Sequence, residues 1–375
     1  MRPMKFGSLL LGLVLFAGCG GDTKAVTTPL KVGVILPMTG GTATYGEEPW
    51  NGILLAEEDL KKQGVEWKLI LRDEKSTKAE AGNQAKLLID SERVDVLLGS
   101  VASSNTMQIA VEARESGVPF ITPASTNDRV TIDGGPFVSR ICFKDSFQGP
   151  VLAEFALSKG WKKSVAVVDK AQAYSVGLAE NFDKAMKAGG GTVDYVYYSS
   201  DDTDFANTVL NVAAFKPQVI FISGYYPQAG PMIKQGKEAW KGVPVIGGDG
   251  LDSPDFISLL GDTNADIYCT THFAADAPDP LVQSFAERYE KRFGKKPGAM
   301  AALGYDVLMV LHDAVKRCPD PHKPDLLAKA IRETKGVKCV TGTIDLTTPD
   351  RTPLKDLVIV KVEGDFKFQA TIQAK

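Results

Sequence analysis

Short, almost wholly apolar runs alternate along the chain with longer stretches whose apolar residues recur every three or four positions. The first run, KVGVIL, covers 31–36, and Ile53, Ala56 and Leu60 then share one face of a predicted helix. Such runs are typical of strands buried on both faces of a parallel sheet. Further strands of this kind are predicted at 67–71, 94–98, 118–121, 164–168, 192–198, 218–223 and 243–246.

The alternation of strand and helix restarts after Gly149 and Pro150, and a third stretch from 281 to 317 is helical before strands near 342–346 and 357–362. Alternating strands and helices predict βαβ units, parallel sheets and right-handed crossovers. We therefore predict an α/β protein of two similar lobes with a ligand cleft between them.

Composition narrows the function class. The 375 residues are 44% hydrophobic and 24% charged, which excludes collagen-like, coiled-coil and disordered chains. A formal charge of −3 gives no indication of a nucleic-acid partner. The sequence has three histidines and no P-loop, dinucleotide fingerprint, nucleophile elbow or Cys/His metal spacing. We therefore expect a binding protein that is not an enzyme and uses no cofactor or metal.

The amino terminus has the pattern of a secretion signal. Two basic residues stand within the first five positions, an apolar run covers 6–16, and small residues precede Cys19. This predicts a signal peptide at 1–18 and a protein that is periplasmic or otherwise extracytoplasmic. Cysteine at that position resembles a bacterial lipobox, so we expect Cys19 to carry lipid and 19–28 to tether the protein to a membrane. A plain signal peptide with an incidental cysteine is the alternative.

Four further cysteines would meet an oxidising compartment after export. Cys318 and Cys339 flank a helical segment and form the candidate disulfide. Cys142 and Cys269 are either a second pair or two buried thiols.

Small polar residues follow the predicted strands of the first lobe, where parallel sheets bind ligands. Ser103 and Ser104 precede a helix, and amide and hydroxyl donors at a helix N-terminus suit a carboxylate. Simple capping of that helix by either serine is the alternative. Ala124, Ser125 and Thr126 follow the next strand in the same way.

The second lobe presents aromatic rings and one acid at the equivalent positions: Tyr174, Tyr225 and Asp249. A ligand with both a carboxylate and an ammonium group would satisfy both lobes, because Asp249 pairs with the ammonium. The alternatives are that Asp249, after two glycines, is a turn residue and that the tyrosines belong to the core.

Eight runs in the same order resemble the periplasmic leucine/isoleucine/valine-binding family, the solute receptors of branched-chain amino-acid ABC importers. They are VILPMTG (34–40), ATYG (43–46), GSVASSN (99–105), ITPASTN (121–127), DSFQGP (145–150), QAY (172–174), GYYP (224–227) and GGD (247–249). The resemblance implies a type I periplasmic-binding fold whose lobes are joined by three crossings. Lobe 1 would hold 29–141 plus 271–338, and lobe 2 would hold 142–270 plus 339–375.

The resemblance also assigns expected roles. Ser103 and Thr126 would hold the ligand carboxylate, the Ala124 carbonyl and Asp249 would hold the ammonium, and Ser104 and Ser125 stand in the same loops. Tyr45, Tyr174 and Tyr225 would close over the ligand, with Phe273 and His272 near its side chain. The disulfide that the family carries near the serine loop is absent here.

The expected function is capture of a free amino acid, branched-chain or otherwise apolar, by hinge closure and delivery to the membrane subunits of an ABC importer. We expect a monomer. The alternative is a sensor of the same fold that binds a small amide or an aromatic acid for a signalling receptor.

Overall fold

The computed structural model describes residues 29–374, so the predicted signal peptide, Cys19 and the tether lie outside the described residues. The strands are β1 Lys31–Leu36, β2 Lys68–Asp73, β3 Val96–Gly99, β4 Phe120–Thr122, β5 Val138–Arg140, β6 Lys163–Asp169, β7 Thr192–Tyr198, β8 Val219–Ser223, β9 Val245–Gly247, β10 Ile267–Thr271, β11 Val337–Cys339, β12 Gly342–Ile344, β13 Leu357–Val362 and β14 Phe366–Ile372. The helices are α1 Thr44–Lys62, α2 Lys78–Leu87, α3 Ser103–Ser116, α4 Arg129–Gly134, α5 Asp145–Ser158, α6 Ala173–Ala188, α7 Ala206–Ala214, α8 Tyr226–Gln235, α9 Pro254–Leu260, α10 Pro280–Phe293, α11 Ala299–Arg317 and α12 Pro324–Arg332.

The first lobe is built on a five-stranded parallel sheet of order β2-β1-β3-β4-β5. Val32, Val34 and Leu36 of β1 pack into one buried cluster, while Ile35 packs into another with Leu97 and helices α2 and α3. Both faces of the strand are therefore covered, which is why its sequence is a continuous apolar run rather than an alternating one.

The second lobe is built on a seven-stranded sheet of order β14-β13-β10-β9-β8-β6-β7. Strands β6 to β10 pair in parallel, and β13 and β14 add an antiparallel edge. The predicted α/β architecture of two lobes with parallel sheets is confirmed. Helix α8 begins at Tyr226, and Pro227 fits its first turn because that position needs no backbone N–H donor.

The third chain crossing lies later in the sequence than the expected position after residue 338. Backbone N–H groups of Val340 and Thr341 donate to the Asp306 carboxylate of α11, and the Arg351 guanidinium donates to the carbonyl oxygen of Val138 in β5. The segment 339–351 therefore packs on the first lobe, and the chain reaches the second sheet only at β13. Hydrogen bonds between residues far apart in sequence decide this boundary.

Gly99 ends β3 with a φ of +113°, and a Cβ atom there would lie 1.9 Å from the carbonyl oxygen of Ile35. Only glycine permits both features. The close approach lets the chain turn directly from β3 into the loop that starts α3.

The cysteines correct one expectation. Cys318 and Cys339 are not bonded to each other, and all four cysteines of the described residues are free thiols. Cys318 ends α11 and Cys339 ends β11, and sequence spacing does not fix how two Cβ atoms are oriented. Burial raises the pKa of the Cys142 thiol to about 12. Within residues 29–374, no helix is long and apolar enough to cross a bilayer.

Candidate functional site

The two lobes meet at a narrow cavity of about 10 Å³, a space for roughly one water molecule. Residues of both lobes line it: Tyr45, Val101, Ala124, Thr126, Tyr174, Tyr225, Asp249, Gly250 and Met300. Six of the predicted site residues are therefore brought together, although the most distant pair is separated by more than 200 positions in the sequence. No cluster able to hold a metal ion occurs among the described residues.

Direct hydrogen bonds join the lobes around this cavity. Tyr45 donates from its hydroxyl to the carbonyl oxygen of Gly250 (2.6 Å), and the Ser104 Oγ accepts from the backbone N–H of Ala173 (2.9 Å). Asn127 Nδ2 donates to the Ala173 carbonyl oxygen at 2.8 Å. The described arrangement is thus a closed one, and a ligand of amino-acid size can reach the cavity only when the lobes separate.

Lobe 1 supplies the N-terminus of α3 to this site. The helix begins at Ser103, so the backbone N–H groups of its first turn have no acceptor within the helix. Neither serine caps it: the Ser103 Oγ accepts from the backbone N–H of Asn127 at 3.3 Å, and Ser104 bonds across the cleft. The capping alternative is therefore wrong for both serines, and both stand beside the cavity rather than in its lining.

Three tyrosine rings form one aromatic wall. Tyr174 and Tyr225 stack with ring centroids 5.0 Å apart, and Tyr45 meets Tyr225 edge-on at 6.0 Å. Burial raises the pKa of each hydroxyl, and the nearby charge of Asp249 raises it further, so all three remain protonated donors. No hydrogen bond of good geometry reaches the Tyr225 hydroxyl within the described residues, although the Ser103 backbone lies near enough to lower its pKa.

Asp249 is the acidic centre of the site; it lies on the lobe 2 side of the cavity and is 3% exposed. Its Oδ1 accepts from the Tyr174 hydroxyl at 2.9 Å and from Gln148 Nε2 at 3.0 Å. The Gln148 Oε1 in turn accepts from the Asp249 backbone N–H and from the Thr270 hydroxyl. Because both ends of the Gln148 amide are used, its orientation and that of the carboxylate are fixed together.

A second buried acid stands behind Asp249. Burial raises the pKa of Asp145 well above its ordinary value, the charge of Asp249 raises it further, and Thr126 and Arg140 oppose the shift. Gln148 Nε2 lies 3.3 Å from Asp145 Oδ1 and so bridges the two acids. Burial thus disfavours the ionised form of Asp145.

Two predicted site residues lie elsewhere. The Ser125 hydroxyl points into the first lobe, where it pairs with the Thr106 hydroxyl and donates to the Val101 carbonyl oxygen at 2.8 Å. Phe273 packs edge-on against Phe285, at 5.8 Å, and lines a different cavity of about 310 Å³. Phe273 and His272 both follow β10, but their side chains face opposite sides of the chain.

Sequence reasoning did not single out Gln148, Val101 or Met300. Gln148 stands in the run DSFQGP, which the resemblance already included, so that run was the signal available for it. Met300 follows no strand; it lies in the first turn of α11 and reaches the cavity only through tertiary packing.

Comparison with known proteins adds to this geometry. A family model described as "Periplasmic binding protein" matches residues 29–367. The Leu/Ile/Val-binding protein homolog 3 of Brucella melitensis is 28% identical over 350 residues, covering 91% of this chain and 95% of the relative.

Two solved structures are also similar. The leucine-binding protein LivK of Thermotoga maritima has a TM-score of 0.88 and 38% identity, covering 92% of this chain and 99% of that one. A solute-binding protein of an ABC transporter from R. palustris, solved with benzoate, has a TM-score of 0.85 and 25% identity, covering 92% and 97%.

Proposed function

This chain belongs to the periplasmic binding protein family, and we propose that it captures a free amino acid with an apolar, branched-chain side chain for an ABC importer. The observation that carries the proposal is the position of Asp249, a buried carboxylate in the interlobe cavity, whose lining also includes Val101, two residues before α3 begins. An ammonium group bound at Asp249 and a carboxylate bound at α3 are the two charges of an amino acid.

The lining favours an apolar side chain. Val101, Met300 and the three tyrosine rings surround the cavity, and Asp249 is its charged group within the described residues. A basic side chain would need a second ionised acid, whereas burial raises the pKa of the neighbouring Asp145 and so disfavours its ionised form. The similar proteins of Brucella melitensis and Thermotoga maritima, named for binding Leu/Ile/Val and leucine, support the same ligand class.

Ligand capture would work by hinge closure. Separation of the lobes exposes both half-sites, and a ligand that contacts both shifts the population toward the closed form. The importer's membrane subunits would then recognise the closed form. Family membership supports a receptor fold rather than an enzyme, and we propose that the receptor acts as a monomer.

Calorimetric titration with leucine, isoleucine, valine, alanine, lysine and phenylalanine tests the proposal. We expect the wild type to bind the branched-chain amino acids and Asp249→Asn to bind them about 100-fold or more weakly. Glu180→Gln removes an exposed acid of lobe 2 and should bind as the wild type does. Small-angle scattering should show compaction with ligand. A wild type that binds none of the six amino acids would contradict the proposal.

An aromatic acid is the second candidate ligand, favoured by the tyrosine wall and by the R. palustris neighbour solved with benzoate. Such a ligand has no cation for Asp249, and burying that charge against it costs several kcal/mol. Benzoate and 4-hydroxybenzoate titrated in parallel separate the candidates: tight binding that survives Asp249→Asn indicates an aromatic-acid receptor.

We further propose that Cys19 carries a lipid that holds the receptor at a membrane surface. The support is the order of basic, apolar and small residues before that cysteine. Fractionation of cells that produce the full chain should place the wild type with membranes and Cys19→Ser in the soluble fraction. A wild type that is soluble and has no added lipid mass would contradict the anchor, and light scattering of the soluble variant measures its oligomeric state.

A further inference from the structure

Asp249 has a third hydrogen-bond partner, and it comes from the second chain crossing. His272 directly follows β10, and its Nε2 lies 3.1 Å from Asp249 Oδ2. The Oδ1 atom is already used by Tyr174 and Gln148. A carboxylate has about four acceptor positions, so these three donors leave roughly one for a ligand.

The imidazole of His272 is firmly held. Its side chain is fully buried, and its ring stacks on Phe143 with centroids 3.8 Å apart and planes 24° apart. Phe143 lies in the first chain crossing, between β5 and α5. Two of the three crossings therefore meet directly behind the acidic centre of the site.

The donor in this contact can be assigned by chemistry. Burial lowers the pKa of His272, with Lys355 adding to the effect and Asp249 opposing it, so the ring is neutral near pH 7. A carboxylate only accepts hydrogen bonds, and Nδ1 has no partner among the described residues. The single ring proton is therefore on Nε2, which donates to Asp249.

We propose that His272 is a positioning residue of the amino-acid site, whose Nε2–H keeps the Asp249 carboxylate turned toward the ligand ammonium. The inference rests on the proposed function. The donor has to be neutral, because a neutral N–H satisfies one carboxylate oxygen without cancelling the negative charge. The pair of residues thus presents one net negative charge in a buried cavity, which selects ligands with one cation.

Loss of this donor removes one of the fixed contacts of the carboxylate, so Oδ2 is no longer held in position for the ligand. This weakens the attraction for an ammonium group and leaves ligands without one unaffected. A hydrogen bond to a charged group corresponds to a change in affinity on the order of tenfold or more.

The test uses two variants and two probes. His272→Phe keeps an aromatic ring against Phe143 and removes the donor, whereas His272→Gln supplies an amide N–H in its place. L-leucine and 4-methylpentanoate, which is leucine with hydrogen in place of the ammonium group, are titrated into each protein calorimetrically. Melting temperature is measured alongside, and both titrations are repeated in the Asp249→Asn background.

We expect His272→Phe to bind L-leucine about tenfold more weakly than the wild type and to bind 4-methylpentanoate equally well. His272→Gln should recover most of the lost leucine affinity. In the Asp249→Asn background, His272→Phe should cause no further loss of leucine affinity. Equal weakening of both probes, or unchanged or tighter leucine binding in His272→Phe, would overturn the inference. A wild type that binds none of the six amino acids would overturn it together with the proposed function, and the wild-type titrations alone reveal that case.

Discussion

The hydroxyl of Tyr45 donates a 2.6 Å hydrogen bond to the carbonyl oxygen of Gly250, although the residues are 205 positions apart and belong to opposite lobes. Tyr45 lies in the first turn of α1, and Gly250 follows the acidic centre of the site. Both residues line the cavity. The bond therefore exists only while the lobes are together, and it contributes to closure rather than to the folding of either lobe.

Tyr45→Phe should consequently weaken ligand binding without lowering the melting temperature of the unliganded protein. One neutral hydrogen bond corresponds to a loss of affinity of about three- to tenfold. Tyr195→Phe is the matched control, since the Tyr195 hydroxyl bonds to the Ala179 carbonyl oxygen within lobe 2. Equal affinities of the Tyr45 variant and the wild type would show that this bond does not stabilise closure.

The third crossing carries a buried lysine. Lys355 is 2% exposed; its Nζ donates to the Ile141 carbonyl oxygen and to the Thr341 hydroxyl, and Asp306 is its counter-charge. Lys355→Met should lower the free energy of unfolding by roughly 3–5 kcal/mol, because it leaves the Asp306 charge buried without its cation.

The double variant Lys355→Met/Asp306→Asn checks that explanation. We expect it to be more stable than Lys355→Met alone in urea unfolding, since it removes the unpaired charge as well. If the double variant is less stable by the sum of the two single effects, the lysine acts independently of Asp306.

Glu48 should make stability depend on pH. It is 1% exposed, and burial, reinforced by the charge of Asp252, raises its pKa from 4.5 to about 8. Between pH 4.5 and about 8, the folded protein therefore holds a proton that the unfolded chain has lost. The contribution of Glu48 to the free energy of unfolding is thus complete below pH 4.5 and is lost as the pH rises to about 8.

In the wild type, the backbone N–H of Gly298 donates to Glu48 Oε1. Glu48→Gln keeps an amide oxygen as acceptor for this N–H and removes the titrating group. The melting temperature of the variant should therefore exceed that of the wild type at about pH 8.5, and the difference should shrink or reverse at about pH 5. Glu47→Gln, at an exposed neighbour, should show no such trend. A constant difference across this range would contradict a buried neutral Glu48.

Thiol chemistry tests the state of the cysteines. Alkylation of the unfolded protein without reductant should label Cys142, Cys269, Cys318 and Cys339 alike, because all four are free. In the folded protein Cys318 should react first, since the other three are buried. A cross-linked peptide containing Cys318 and Cys339 would restore the candidate disulfide.

Much of the fold could be predicted from the sequence alone, because the apolar patterns that indicate strands and helices are local. Apolar runs such as 31–36 fill the sheets, and the small or aromatic residues that follow them reach one edge, so Ala124, Thr126, Tyr174, Tyr225 and Asp249 meet at the cavity. Their use in ligand binding stays a prediction until affinities are measured. The edge at which these residues meet can be predicted because the direction of the chain determines which end of a parallel strand is its carboxyl end.

Only the tertiary structure decided which neighbours complete the site. His272 and Phe273 are adjacent in sequence, yet one contacts Asp249 and the other packs on Phe285. Gln148 reaches Asp249 across 101 positions, and Asp306 holds the segment that sequence reasoning had placed in the other lobe. These contacts depend on how separate elements pack and on which buried polar groups satisfy each other, and no spacing along the chain encodes either.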